Sequence, residues 1–131
     1  MSLLGEEGYP KSNKEDLVNH PKHYTAHPSG VECLQITELL PFNLGSALKY
    51  LWRKGLKWDE NEDTKKAIFY LRRQAESGKH ARFSVSEFIQ LEHNLKSIKA
   101  VDLELWNICD IIIFGSFNNW LSLANKLEAG L

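Results

Sequence analysis

Long hydrophobic runs are absent from this chain. Its most apolar stretch, around Ile111 to Phe114, is interrupted by Asn107, Asp110, Asn118 and Asn119, which argues against a membrane-spanning helix. Cysteine is scarce. Cys33 and Cys109 supply neither a disulfide framework nor a Cys-x-x-Cys zinc pair. Two isolated thiols suit a reducing compartment, and Gly5, Glu6 and Glu7 break any apolar core that a secretory signal would need. The expected location is therefore cytoplasmic. No excess of one charge exists either: a formal net charge of -1 creates no field that would draw the chain to nucleic acid or an anionic bilayer. Phosphate-binding glycine loops are also missing. Neither Gly-x-x-x-x-Gly-Lys-[Ser/Thr] nor Gly-x-Gly-x-x-Gly occurs, which excludes a standard P-loop kinase or Rossmann enzyme. Nor is there a Gly-x-Ser-x-Gly elbow or a His-Glu-x-x-His helix.

What is present is enough for one domain. A chain of 131 residues buries roughly 65–70% of its unfolded surface, and 43% hydrophobic with 25% charged residues is an ordinary globular composition. Residues 1–16 hold Gly5, Gly8, Pro10 and few apolar positions, and they read as a flexible leader ahead of a single helical domain over 17–131. Pro21 and Pro28 make the following segment an irregular loop carrying histidines. Helical periodicity then predicts elements over Val31–Leu40, Asn43–Lys54 and about Asn61–Ser77. The second carries the apolar stripe Leu44, Ala47, Leu48, Leu51 and Trp52, with Gly55 as its stop. Asp59 with Glu62 resembles a capping box for the third helix, which is expected to bury Thr64, Ala67, Ile68, Leu71 and Ala75 before Gly78.

Ser84-Val85-Ser86-Glu87 is a cleaner box. It predicts a fourth helix through about Lys96 that buries Val85, Phe88, Ile89 and Leu95. Asp102 to Leu127 reads as one long helix, bent at Gly115-Ser116. Ile111 to Phe114 has strand propensity, but the helical period continues through Phe117, Trp120, Leu121 and Ala124 and no partner strand is evident. The expected fold is all-α, a compact bundle of about five helices with an irregular His/Pro-containing N-terminal segment. Trp106, Ile112, Phe114, Phe117 and Trp120 offer more apolar surface than such a bundle covers, which predicts a homo-oligomer.

The chemistry concentrates between Leu34 and Arg73. Lys49, Arg53 and Lys57 recur at helical spacing beside Tyr50 and Trp52, followed by Lys65, Lys66, Tyr70 and Arg73. Cations of this kind hold phosphate oxygens, and neighbouring aromatic rings offer a flat surface to a base. The competing reading is a solvated helix face with some cations paired to acids. His20, His23 and His27 have spacings that would suit a metal completed by Glu32 or Cys33, but the two prolines oppose a helical presentation. They fit better as hydrogen-bond donors or acid/base groups, or as pins that hold the loop to the bundle. Asp110, set in an apolar segment, either pairs with a cation of the second or third helix or faces solvent. Glu87 with Glu92 and Glu104 with Asp110 lack the one-turn spacing of a magnesium-binding all-α pyrophosphohydrolase, which makes that class the weaker alternative.

Three blocks occur in order: Pro21-Lys22-His23-Tyr24; then Lys49-Tyr50-Leu51-Trp52-Arg53-Lys54-Gly55-Leu56-Lys57; then Asp63-Thr64-Lys65-Lys66-Ala67 with Tyr70-Leu71. This order resembles a family of small phage and prophage proteins, some of them nucleotide kinases that work without a P-loop. The resemblance covers less than half of the chain and implies phosphoryl transfer to a (deoxy)nucleoside monophosphate, with ATP or another nucleotide as donor and magnesium held, if at all, by Asp63 or Asp110. It implies catalytic roles for Arg53, Lys49 and His23. Tyr24, Lys57, Tyr50, Lys66, Tyr70 and His20 would bind substrate. The alternative it leaves is a non-catalytic phage accessory protein that binds nucleotide or a host protein through the same face.

Overall fold

The computed structural model describes residues 26–53 and 60–131. The expected leader, His20, His23 and Tyr24 lie outside these residues, as do Gly55, Lys57 and Asp59. Six helices and no strand occur among the described residues: α1 (Cys33–Thr37), α2 (Phe42–Trp52), α3 (Glu60–Ser77), α4 (Val85–Val101), α5 (Leu103–Phe114) and α6 (Phe117–Ala129). The all-α expectation holds, with one helix more than the five expected. Ile111 to Phe114 is helical, so the continuing apolar period outweighed local strand propensity.

The local signals explain most boundaries. Glu32 and Gln35 close a reciprocal cap on α1, which is only five residues long and ends at Thr37, short of the expected Leu40; Pro41 disfavours helical geometry in Leu40 itself. Pro41 then serves as the N-cap residue of α2, and Gly78, at φ +67°, ends α3 in the left-handed region. Ser84 and Glu87 form the expected reciprocal box on α4: the Ser84 N–H donates to Glu87 Oε1 at 2.8 Å, and the Glu87 N–H donates to Ser84 Oγ at 3.1 Å. That helix continues past Lys96 to Val101.

The expected long helix from Asp102 to Leu127 is two helices. Asp102 begins α5, its Oδ1 accepting from the Leu105 N–H at 3.0 Å. At Gly115 the backbone becomes extended, and Ser116 opens α6 with a reciprocal cap through Asn119. The physical reason is tight packing across the break. A Cβ at Gly115 would collide with the Ile111 carbonyl oxygen and meet Asn119 Cβ at 2.9 Å. Trp120, fully buried, donates its indole N–H to the Ile112 carbonyl at 3.3 Å, which satisfies one of the orphan carbonyls at the end of α5.

Contacts along the chain show three antiparallel pairings. In α2 and α3, Arg53 meets Asp63 while Phe42 meets Tyr70. In α3 and α6, Arg72 meets Glu128, and His80 just beyond α3 meets Trp120. In α4 and α5, Lys99 meets Trp106 while Phe88 meets Phe114. The core joins Leu44, Leu48, Leu71, Leu91, Ile98 and Ile112, all fully buried. Thr64, Ala67, Ile68, Leu71 and Ala75 are buried on α3 as expected.

Two burial expectations fail. α4 turns Leu91, Asn94, Leu95 and Ile98 inward, while Val85, Phe88 and Ile89 are exposed. Its buried residues start about two turns after the cap, and among the described helices α4 packs mainly against α5. Conversely, Ile112 and Trp120 are core residues and contribute nothing to a surplus surface.

Gly115→Ala should therefore lower stability by about 1–3 kcal/mol in urea unfolding, since the clash is with backbone and cannot be relieved by a rotamer change. Ser116→Ala, which removes only a partly exposed cap, should cost about 1 kcal/mol or less.

Candidate functional site

Helix α2 ends and α3 begins at a buried ion pair. Asp63 is 2% exposed, and its two oxygens each accept from Arg53, from Nε at 3.1 Å and from Nη2 at 3.1 Å. This fork-to-fork geometry holds the guanidinium plane in one orientation. It also sets the register between the two helices, which brings Lys66 and Tyr70 of α3 alongside Lys49 and Tyr50 of α2.

The result is a cation–aromatic cluster. Among the described residues, three cations approach the Tyr50 ring: Lys49 Nζ at 5.0 Å from its centroid, Arg53 Cζ at 5.1 Å and Lys66 Nζ at 5.3 Å. Each lies within the range in which a ring quadrupole attracts a cation. Tyr50 stacks on Tyr70 with centroids 6.1 Å apart and planes 5° from parallel. Tyr70 is in turn flanked by the rings of Phe42 at 5.7 Å and Phe69 at 5.2 Å, both edge-on. Carboxylates sit against these cations: Asp63 on Arg53, and Glu62 at 4.0 Å from Lys66. The cluster thus has a cationic end at Tyr50 and an apolar, flat end at Phe42 and Phe69, which are 74% and 60% exposed.

Five candidates from the sequence meet here: Lys49, Tyr50, Arg53, Lys66 and Tyr70. His20, His23, Tyr24 and Lys57 lie outside the described residues. Phe42 and Phe69 were not anticipated. Phe69 sits next to Tyr70 in sequence, and an exposed aromatic at that position was the available signal; Phe42 joins only through the antiparallel pairing.

The other candidates sit elsewhere. His27 packs its ring against Trp52 at 5.7 Å, with Nδ1 2.7 Å from Ser29 Oγ and Nε2 2.9 Å from Asp102 Oδ2. It pins the N-terminal loop to the junction of α4 and α5. Cys33 is buried, and burial pushes its thiol up to about 12, while Cys109 is raised further for the same reason. Neither offers a thiolate near neutrality. Asp110 turns away from α2 and α3 and lines a groove of about 550 Å³ between α4 and α5 with Lys96, Lys99 and Trp106. Glu87 is occupied by the Ser84 cap.

A sequence profile for a family described as a protein of unknown function (DUF3310) matches residues 18–72, less than half of the chain. No curated protein and no solved structure gives a match. The matched stretch encloses every candidate from His20 to Tyr70, and it stops before the last turn of α3, leaving α4, α5 and α6 beyond it. No helix of the described residues is long and apolar enough to cross a membrane.

Asp102 carries a pH signature. The hydrogen bond from His27 and the backbone bond from Leu105 hold its carboxyl below the usual carboxylate range. A depressed folded-state value stabilises the protein above the unfolded value of about 4, and that stabilisation fades as the pH falls through the folded value. Wild type should thus exceed Asp102→Asn in urea stability at neutral pH, and the two curves should converge in acid. A gap that stays constant down to strong acid would show that the carboxylate charge is irrelevant.

Removing the Asp63 carboxylate should be costlier. Asp63→Ala leaves the half-buried Arg53 guanidinium without its fork and should destabilise by about 3–5 kcal/mol in the same assay.

Proposed function

We propose that the α2–α3 face binds a nucleoside monophosphate and transfers a phosphoryl group to it from ATP or another nucleotide. The observation that carries this reading is the polarity of the cluster, with cations gathered on Tyr50 and exposed rings at Phe42 and Phe69. A nucleotide has the same polarity, with phosphate at one end and a flat base at the other. The ordered Lys-Tyr-x-x-Arg and Lys-x-x-x-Tyr blocks, which resemble those of the phage proteins with P-loop-less kinases among them, support the same assignment.

Phosphoryl transfer asks a protein mainly for alignment and charge stabilisation. An oxygen of the acceptor monophosphate attacks the terminal phosphorus of the donor, and the bond from that phosphorus to the bridging oxygen breaks as the donor diphosphate leaves. Lys49 and Lys66 sit on flexible stems and can follow the charge that spreads over the transferring group. Arg53 is a fixed element in this scheme. Asp63 sets its plane, so its role is to orient a phosphate, while the paired charge limits how much neutralisation it adds. Tyr50 keeps the three cations converged, and Phe42 and Phe69 receive the base.

The test pairs ATP with each deoxynucleoside monophosphate, with and without magnesium, and follows products by chromatography. A diphosphate product should form, and Lys49→Ala and Lys66→Ala should each lower kcat by roughly 10–100-fold, which also excludes a contaminating kinase. Phe69→Ala, at the base end, should instead raise KM with little change in kcat. If no diphosphate forms while nucleotide still binds in a calorimeter, the enzyme reading is wrong and a non-catalytic accessory binder takes its place.

A further inference from the structure

A second exposed surface lies at the α4–α5 corner. Phe83, Val85, Phe88 and Phe114 line a groove of about 400 Å³ together with Ala81, Ile113, His80, Ser84 and Gly115. Phe114 meets Phe83 at 6.2 Å and Phe88 at 5.7 Å, both edge-on, so the rings form one continuous aromatic floor. Val85 is 78% exposed, and Ile89, one turn further along α4, is 61% exposed. Phe117, two residues past Gly115, is 47% exposed. Among the described residues, no Asp, Glu, Lys or Arg lines this groove.

We infer that this corner is a two-fold interface with a second copy of the same chain. Three observations favour a second copy over another occupant. The first is area. At ~200 Å² for a large apolar side chain, the exposed shares of Val85, Phe88, Ile89, Phe114 and Phe117 amount to roughly 500 Å². That falls within the roughly 300–600 Å² of a monomer's largest apolar patch, which is often a functional surface. Doubled across a two-fold it reaches roughly 1,000 Å², the size at which specific interfaces begin.

The second is composition. A groove lined mainly by apolar and aromatic side chains is typical of the apolar interior of homodimer interfaces, whereas transient partners meet more polar surfaces. The third is continuity. Val85 lines the groove with Phe83, Phe88 and Phe114, and Ile89, one turn further along α4, extends the exposed apolar row beyond it. In an isologous contact one patch serves both copies, so the Val85–Ile89 row of each lies against the groove of the other. The same contact would cover the outer side of α4, which within one copy is held mainly by α5.

The interface lies beyond residues 18–72 and on different elements from the α2–α3 cluster, so it stands or falls independently of the proposed activity. The test is the mass of the full-length chain in solution, by light scattering and sedimentation over a micromolar to near-millimolar range. A dimer is expected. Val85→Glu and Ile89→Glu should each raise its dissociation constant by roughly 100-fold or more, because the two-fold brings the like charges of both copies together in an apolar contact. Val85 occupies the first turn of α4, where a carboxylate is favourable for the helix, so this variant keeps its helical circular dichroism even if Ile89→Glu does not. Phe69→Glu, on the α2–α3 face, should remain dimeric. A monomer throughout the range would overturn the inference, as would a dimer indifferent to Val85→Glu or one that Phe69→Glu dissociates.

Discussion

Much of this structure hangs on one buried carboxylate. Asp63 is nearly inaccessible and gives both oxygens to Arg53. A buried ion pair is a poor source of net stability, because desolvation consumes most of the attraction, but it is intolerant of a shifted partner. It therefore acts as a register pin. With the end of α2 tied to the first turn of α3, the antiparallel pairing can place Tyr50 against Tyr70 and Lys66 in only one way. The cation cluster is a consequence of that register.

The pin also divides labour among the cations. Arg53 lies over the same ring as Lys49 and Lys66 but is forked onto Asp63, whereas the lysines carry their charge on long unbranched stems, Lys66 with Glu62 at 4.0 Å. Order and adaptability are thus separated within one small face. A second pin works at the other end of the chain. His27 reaches Asp102, which also caps α5, so one side chain ties the N-terminal loop to the α4–α5 pair. The half of the chain that carries the candidate site is in this way anchored to the half that does not.

The candidate site was partly legible in the sequence. Lys49 and Arg53 fall one turn apart on α2, and Lys66 and Tyr70 one turn apart on α3, so helical spacing alone put each pair on a common face. That the two pairs meet on Tyr50 depends on Asp63, whose role required knowing that it was buried. Asp110 was the better-looking organiser in the sequence, because it sits in an apolar segment. It faces the α4–α5 groove, away from the cluster. Phe42 was invisible because its partner, Tyr70, is far along the chain and meets it only when the helices pair.

The sequence by itself determined the helical class and nearly every boundary marked by a cap, a proline or a glycine. Pro41, Gly78 and the Ser84–Glu87 box act through bonds and dihedral angles within a few residues, so no distant contact is needed to read them. Burial was decided by tertiary structure. Val85, Phe88 and Ile89 have the three- and four-residue spacing of an apolar face, as Leu91, Leu95 and Ile98 do, yet only the latter face is buried. The break at Gly115 was likewise settled by packing, because Asn119 and Trp120 return against the end of α5. Periodicity states which residues share a face. Whether that face is covered depends on where the other helices go, and that is a long-range property of the chain.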